Sequence, residues 1–487
     1  MLNQFYNYEG TLTAQQKTEL GIVYTPHWIV EWINNRVLSL WDKPHPPRVI
    51  DPCCGTGVFL YDMANKISQR WSLEVEEVYK KYVFGTDLDP NAVRIGNSLM
   101  EGVGFAVANG LDIDLSSYDI VVTNPPYIRV HDLDLQTRDK IKKEYACCAK
   151  GDTDIYIAFM EKIVNSGCIA GFISPNTWIK NKYNLPLREL IRSSGRLETL
   201  IDFKSHKVFK GVGTYTSILV FDNKEVEEIT TGKALCRLWM DKSKQSEVFF
   251  DGTVLPHKED ASFVAGISSR KNSIFDICDI NVGLATLCDS VFLLELIEHQ
   301  VNTGYSLVKQ TKKDSPVFKI ETEVLIDCIR GGDITKNADK RYVVVFPYDA
   351  NNKVIDEDFF KTTYPQAFLY LAFHSDKLLA RDKGKKVNYK WYEFGRSQAI
   401  KLIGKDKLVF APFMKDEMVF KESPEKTAFV GWCVVPKKGY SLEHIKEALL
   451  HPDVGRWISI FGKNLGDEWY ALSKNVFNKY KINPKIS

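Results

Sequence analysis

Seven short apolar runs, separated by turns and helical spacers, constrain this chain more than any other feature. They are RVIDPCC from Arg48, YVFGTDL from Tyr82, FAVANG from Phe105, YDIVVTN from Tyr118, GCIAGFISP from Gly167, LETLIDF from Leu197 and SILVFDN from Ser217. Runs of this length bounded by turn residues read as buried strands, and Phe59, Leu60 and Met63 after the first run share one helical face. Strands alternating with helices imply a doubly wound α/β sheet of the Rossmann-like kind, with ligands beyond the strands' carboxyl ends. After Asn223 the rhythm stops. Residues 224–266 are polar and charge-mixed, a connector carrying some strand, and the remainder has Lys, Arg, Trp, Tyr and glycine turns without βαβ alternation. A length of 487 residues suits more than one domain, and the expected division is 1–245 and 246–487, the second mixed α+β.

Composition removes several classes. No apolar run approaches the roughly 20 residues of a membrane span, and MLNQFYNYEG lacks the basic and apolar segments of a secretory signal. The ten cysteines contain no CxxC, only the adjacent pairs Cys53–Cys54 and Cys147–Cys148, and the nine histidines form no HExxH. A reduced, cytoplasmic protein without a metal or a membrane partner is expected. With 64 basic and 62 acidic residues the net charge is +2, so any basic surface must be local. Between Lys377 and Lys407 ten Lys or Arg face three Asp or Glu, interleaved with Tyr389, Trp391, Tyr392 and Phe394. That mixture suits phosphate neutralisation with base contact, and Lys385, Lys386, Lys390 and Arg396 are the candidates.

The sharpest chemical signal is Asn124-Pro125-Pro126-Tyr127, at the end of an apolar strand. Two prolines cannot continue a ladder, so the loop leaves the sheet stiff and extended. The Asn124 side-chain oxygen and the Pro125 carbonyl can then accept hydrogen bonds from one planar amino group, while the Tyr127 ring stacks on the system bearing it. Two acceptors polarise that nitrogen without deprotonating it. Upstream, Asp51-Pro52-Cys53-Cys54-Gly55-Thr56-Gly57 joins the first strand to its helix, where glycines admit a ligand close to the backbone. Asp87 ends the second strand and suits a ribose diol. Thr25 precedes an amphipathic helix as cap or ligand.

Together these pieces resemble the S-adenosylmethionine-dependent amino-methyltransferases, specifically the TaqI-like gamma-type DNA adenine-N6 methyltransferases. GIVYTP from Gly21 resembles motif X, DPCCGTG motif I, TDLDP from Thr86 motif II and NPPY motif IV. GDTDIYIAF from Gly151 is similar to motif V, GFISPNTWI from Gly171 to motif VI and HKVFKGVGTYTSILVF from His206 to motif VIII. INVGLATLCDSVFLL from Ile280 and WYEFGRSQ from Trp391 resemble the family's target-recognition domain.

The resemblance implies S-adenosylmethionine as cofactor, held by Val23, Thr25, Asp51, Cys53, Gly55, Gly57, Asp87 and Leu88. Either Asn109 or Asp112 stands where the family has its motif III acid. Asn124, Pro125, Pro126 and Tyr127 would grip a flipped-out adenine, with Phe209 packing on it. The partner implied is double-stranded DNA, with a cognate restriction endonuclease acting on the same site. RNA and protein-glutamine methyltransferases share the NPPY loop and are the alternative, although they generally lack such a basic, aromatic second half. A non-catalytic DNA-binding subunit would have no need of the intact motifs. The 20 residues ahead of motif X are too few for a nuclease domain, so a stand-alone modification enzyme is expected.

Overall fold

The computed structural model describes every residue except 1, 14, 18–24, 205, 210–213, 235–237, 251–252, 256–257, 301, 337–339, 382–389, 397–398, 423–426, 430, 467 and 484–487. The chain divides into two compact units, Met1–Phe263 and Val264–Ser487. Residue 245, where the sequence placed the division, opens the short helix Gln245–Val248 inside the first unit.

The first unit is built on β1 (Val49–Asp51), β2 (Val83–Asp87), β3 (Ala106–Val107), β4 (Ile120–Thr123), β5 (Ile169–Pro175), β6 (Leu197–Asp202), β7 (Thr216–Phe221), β8 (Glu228–Ala234) and β9 (Leu238–Lys244). They form one sheet in the order β3-β2-β1-β4-β5-β7-β6-β8-β9. Pairing is parallel from β3 through β5, and β7 is inserted antiparallel between β5 and β6. Side chains alternate between two apolar layers, as the period of two along a strand requires. Val49, Ile120, Val122, Ile169 and Ile173 face the layer of α2 (His27–Ser39) and α3 (Val58–Trp71). Ile50, Val121, Ala170 and Phe172 face the layer of α7 (Ile155–Ser166) and α8 (Leu185–Ser194). Burial on both faces explains why these strands read as continuous apolar runs.

All seven runs supply strands, although FAVANG contributes only two paired residues. The polar connector yields β8, parallel to β6 through Thr199 and Thr230, and β9 antiparallel to β8. Both strands carry polar residues, EITTGKA and LWMDKSK, which deprives them of the apolar signature, and of the two only β9 lies at the sheet edge. The remaining helices named below are α1 (Leu2–Thr11), α4 (Val75–Lys81), α5 (Pro90–Leu99) and α6 (Leu135–Glu144).

The second unit is mixed α+β. A six-stranded sheet runs Val317–Glu321, Tyr305–Gln310, Leu293–Gln300, Tyr342–Val345, Leu325–Arg330, Thr427–Phe429, beside sheets of four and three strands. Its core is strongly aromatic, with Phe292, Phe346, Tyr348 and Phe394 in mutual ring contact. The buried Arg381 donates to the carbonyls of Leu378, Trp391 and Glu393, fixing the WYEF turn. Among the described residues no helix is long and apolar enough to cross a membrane.

Candidate active site

A cavity of about 350 Å³ lies where the loops after β1, β2, β3 and β4 converge. The turn after β1 lets backbone line it because Gly55 and Gly57 take φ of 54° and 97°. The Cys54 N–H donates to Thr86 O at 2.9 Å and ties the turn to β2. Two close approaches hold the surrounding loops. A Cβ at Gly110 would stand 2.0 Å from Pro52 O, so only glycine lets the loop after β3 lie on the turn after β1. The Phe105 ring fills a slot floored by Gly57, Gly85 and Gly96, where added Cβ atoms would come within 2.5, 2.9 and 2.7 Å of it.

Two carboxylates, Asp51 and Asp87, stand in the cavity wall. Asp51 is 1% exposed, and burial, with Asp87 nearby, pushes it up to about 7, although its Oδ1 accepts from Cys53 N–H at 3.0 Å. Burial also raises Asp87, whose two oxygens accept from Gly55 N–H at 2.8 Å and Asp89 N–H at 2.9 Å. Each of those oxygens retains a lone pair for a hydroxyl donor. Burial raises the Cys53 and Cys54 thiols well above their ordinary value, so they are neutral wall groups. At the rim Leu88 is 66% exposed, an apolar surface facing open space. A buried acid beside a second carboxylate, together with a bare apolar rim, fits a cationic nucleoside such as S-adenosylmethionine.

On the other side of the cavity stands the end of β4. Asn124 Nδ2 donates to Thr25 Oγ1 at 3.1 Å, and Tyr127 OH donates to Asn124 Oδ1 at 2.7 Å. Thr25 and Tyr127 therefore fix which way the Asn124 amide faces. The Tyr127 ring is packed edge-on against buried Tyr156 at 6.3 Å, and burial holds its hydroxyl well above the ordinary phenol range, so it stays a donor.

Thr25, Asp51, Cys53, Gly55, Asp87, Leu88, Asn109, Asp112, Asn124 and Pro126 all line this one cavity. Pro125 is buried behind them. Asn109 and Asp112 differ in engagement. The Asn109 oxygen caps its own turn by accepting from Leu111 N–H at 3.1 Å, whereas Asp112 is ion-paired to Lys140 at 2.6 Å. Phe209 is 4% exposed and belongs to the apolar cluster on which Tyr127 also packs. Val23, Lys385 and Lys386 lie outside the described residues. In the second unit Arg396 is exposed, while Lys390 lies 3.5 Å from Asp356 and donates to Ile355 O.

Two contributors were not read from the sequence. Helix α6 supplies Thr137, Lys140, Ile141 and Glu144 to the cavity wall, and α1 reaches the loops around it through Phe5, Tyr6 and Tyr8. Neither segment carries a motif, and both act through contacts distant in sequence.

Known proteins resemble this chain in sequence and in fold. Residues 105–209 match the family model of the Eco57I restriction-modification methylase. The chain is 23% identical over 445 residues to the type II restriction enzyme and methyltransferase RM.Eco57I of Escherichia coli, covering 81% of this chain and 44% of that protein. It is 22% identical over 504 residues to the type II methyltransferase M.BanIII of Aneurinibacillus aneurinilyticus, covering 88% of this chain and 83% of that one. The fold is also that of the type IIL restriction-modification enzyme MmeI, solved with DNA, at a TM-score of 0.62 and 14% identity over 98% of this chain and 70% of that one. The family match spans β3 to Phe209, and the cavity beside it fits S-adenosylmethionine, so this part of the chain is similar to the methylases of restriction-modification systems.

Proposed function

We propose that the protein is a site-specific DNA adenine-N6 methyltransferase, the modification enzyme of a restriction-modification system, acting on an adenine flipped out of duplex DNA. The observation that carries this reading is the Asn124 amide, oriented by Thr25 and Tyr127 at the edge of a cavity that also holds Asp51 and Asp87. S-adenosylmethionine supplies a methyl group already activated by its positive sulfur. Asp87 takes the ribose hydroxyls, Leu88 packs on the cofactor's adenine, and Asp51, with Thr25 beside it, faces the methionine end. Between Asn109 and Asp112, the Lys140 ion pair occupies Asp112, which leaves the Asn109 amide better suited to the cofactor's base.

Asn124 Oδ1 and the Pro125 carbonyl accept the two N–H groups of the target amine and turn its lone pair outward. No strong general base is needed, because the N6 proton is lost after the nitrogen has gained a bond. Extruding the base costs on the order of a few kcal/mol. Stacking on Tyr127 and Phe209 offsets about 1–3 kcal/mol per ring. Both rings are packed inward here, so gripping a base requires them to turn toward it. The second unit, with Lys385, Lys386, Lys390 and Arg396, is the target-recognition domain in this reading. A cognate endonuclease is the expected partner.

The test is transfer of labelled methyl from S-adenosylmethionine to unmethylated duplex DNA, with RNA and a release factor as parallel acceptors, followed by single-molecule sequencing of the DNA. N6-methyladenine at one recurring motif is the expected result. Label in RNA or protein with DNA blank overturns the assignment.

A further inference from the structure

Helix α1 holds three of the site's loops at once. Its anchor is Phe5, fully buried, with its ring 4.9 Å from that of Tyr61 on α3. From there the Phe5 carbonyl accepts from Thr56 Oγ1 at 2.8 Å, on the glycine turn after β1. Tyr6 OH donates to the Thr25 carbonyl at 2.9 Å, on the residue whose hydroxyl orients Asn124. Tyr8 OH donates to Asp89 Oδ2 at 2.7 Å. The last bond continues inward. Asp89 Oδ1 accepts from Asn91 N–H at 2.9 Å and caps α5, and the Asp89 N–H donates to Asp87 Oδ1 at 2.9 Å. Tyr8 thus stands two bonds from the carboxylate assigned to the ribose, without lining the cavity itself. Burial and Asp89 push its hydroxyl up to about 12, so it remains a donor throughout the working range.

We propose that Tyr8 is a positioning residue for the cofactor: by donating to Asp89 it sets the 87–90 loop so that the Asp87 oxygens meet the ribose diol. The inference rests on the reading that Asp87 binds the ribose. Asp89 already satisfies a helix cap with one oxygen, so the other is free to follow Tyr8. Removing the Tyr8 hydroxyl leaves the cap intact and releases the loop on its cavity side.

The experiment is calorimetric binding of S-adenosylhomocysteine and of its 2′-deoxyribose counterpart to the full chain, for the unsubstituted protein, Tyr8→Phe and Asp89→Asn. The unsubstituted protein should prefer the ribose form by roughly 10-fold or more. Tyr8→Phe should weaken the ribose form about 5–20-fold while moving the deoxy form by less than about two-fold. A purely structural role would weaken both forms alike, and that result overturns the proposal. Discrimination kept intact in Tyr8→Phe also overturns it while leaving the Asp87 reading standing. Equal binding of both forms by the unsubstituted protein removes the Asp87 reading and this one with it. Asp89→Asn keeps an oxygen for the α5 cap but places an amide N–H₂ where Tyr8 donates. It should show the same ribose-selective loss, and it decides the matter if Tyr8→Phe does not fold.

Discussion

The Asn124 side chain is oriented by two hydroxyls, one three residues along the chain and one 99 residues away. Thr25 takes its N–H and Tyr127 fills one lone pair of its oxygen, so the amide cannot rotate freely. Asn124→Ala should lower kcat for methyl transfer by at least about 100–1000-fold, since an oriented polar contact to the reacting group is lost. S-adenosylhomocysteine affinity should stay within a few-fold, and parallel rate and binding measurements separate the two. Loss of both together would make the loop structural. Asp51 gives a second expectation. Its folded value of about 7 lies above the ordinary 3.8, so the folded protein holds a proton that the unfolded chain has released. Stability should therefore fall as pH rises from about 4 to about 7, by at most about 1.4 kcal/mol per unit, and level off above. Asp87, raised for the same reason, adds in the same sense. A cation binds better to ionised Asp51, so S-adenosylmethionine affinity should rise through the same window and release a proton. Asp51→Asn should flatten both profiles, measured by thermal melts and by calorimetry in buffers of different ionisation enthalpy.

At the scale of elements, what holds the site is close approach between loops. The Phe105 ring occupies a slot made by glycines on the β1–α3 turn, on β2 and on α5, while the Asn97 side chain clasps the Phe105 backbone with bonds of 2.7 and 3.0 Å. Phe105→Ala empties that slot and should cost about 3–5 kcal/mol, read as an earlier denaturant midpoint in the transition that S-adenosylhomocysteine shifts. The large cost of so short a strand explains itself: β3 contributes two paired residues to the sheet, but the ring ahead of it sets the spacing of three elements. An undisturbed midpoint would mean the three elements are spaced by their own contacts.

At the scale of the whole chain, two compact units of similar size make up a nearly neutral protein. The net charge of +2 gives no long-range pull on a polyanion, so the nucleic-acid affinity of the proposed function has to come from local basic groups. In the proposed reading, Lys385→Ala with Lys386→Ala should reduce the salt dependence of duplex binding by up to about two in the log–log slope. Lys390 is already engaged by Asp356 and Ile355, and its ammonium lies 5.7 Å from the Tyr392 ring centroid. Lys390→Ala should therefore change that slope less than the pair does, and binding titrations at several salt concentrations compare the two directly. A larger effect from Lys390 would reverse the ranking.

The doubly wound sheet was legible because its strands are buried on both faces, which forces apolar runs at strand length regardless of what packs on them. The NPPY loop and the glycine turn were legible for a similar reason: prolines and glycines restrict backbone geometry locally, wherever the chain goes afterwards. Sequence could not reveal β8 and β9 as members of the same sheet, because EITTGKA and LWMDKSK carry too many polar residues to read as apolar runs. Nor could it bring Tyr8 to Asp89, 81 residues away, or Thr25 to Asn124, 99 residues away. A hydroxyl that donates across such a separation leaves no period and no spacing in the sequence. Phe209 illustrates the same limit from the other side: an aromatic in a motif-like segment reads identically whether it stacks on a ligand or on core, and packing alone put it 4% exposed among apolar neighbours. Local backbone restriction and two-faced burial are written along the chain, whereas the long-range hydrogen bonds that orient the site arise only when the sheet order brings those loops to one edge.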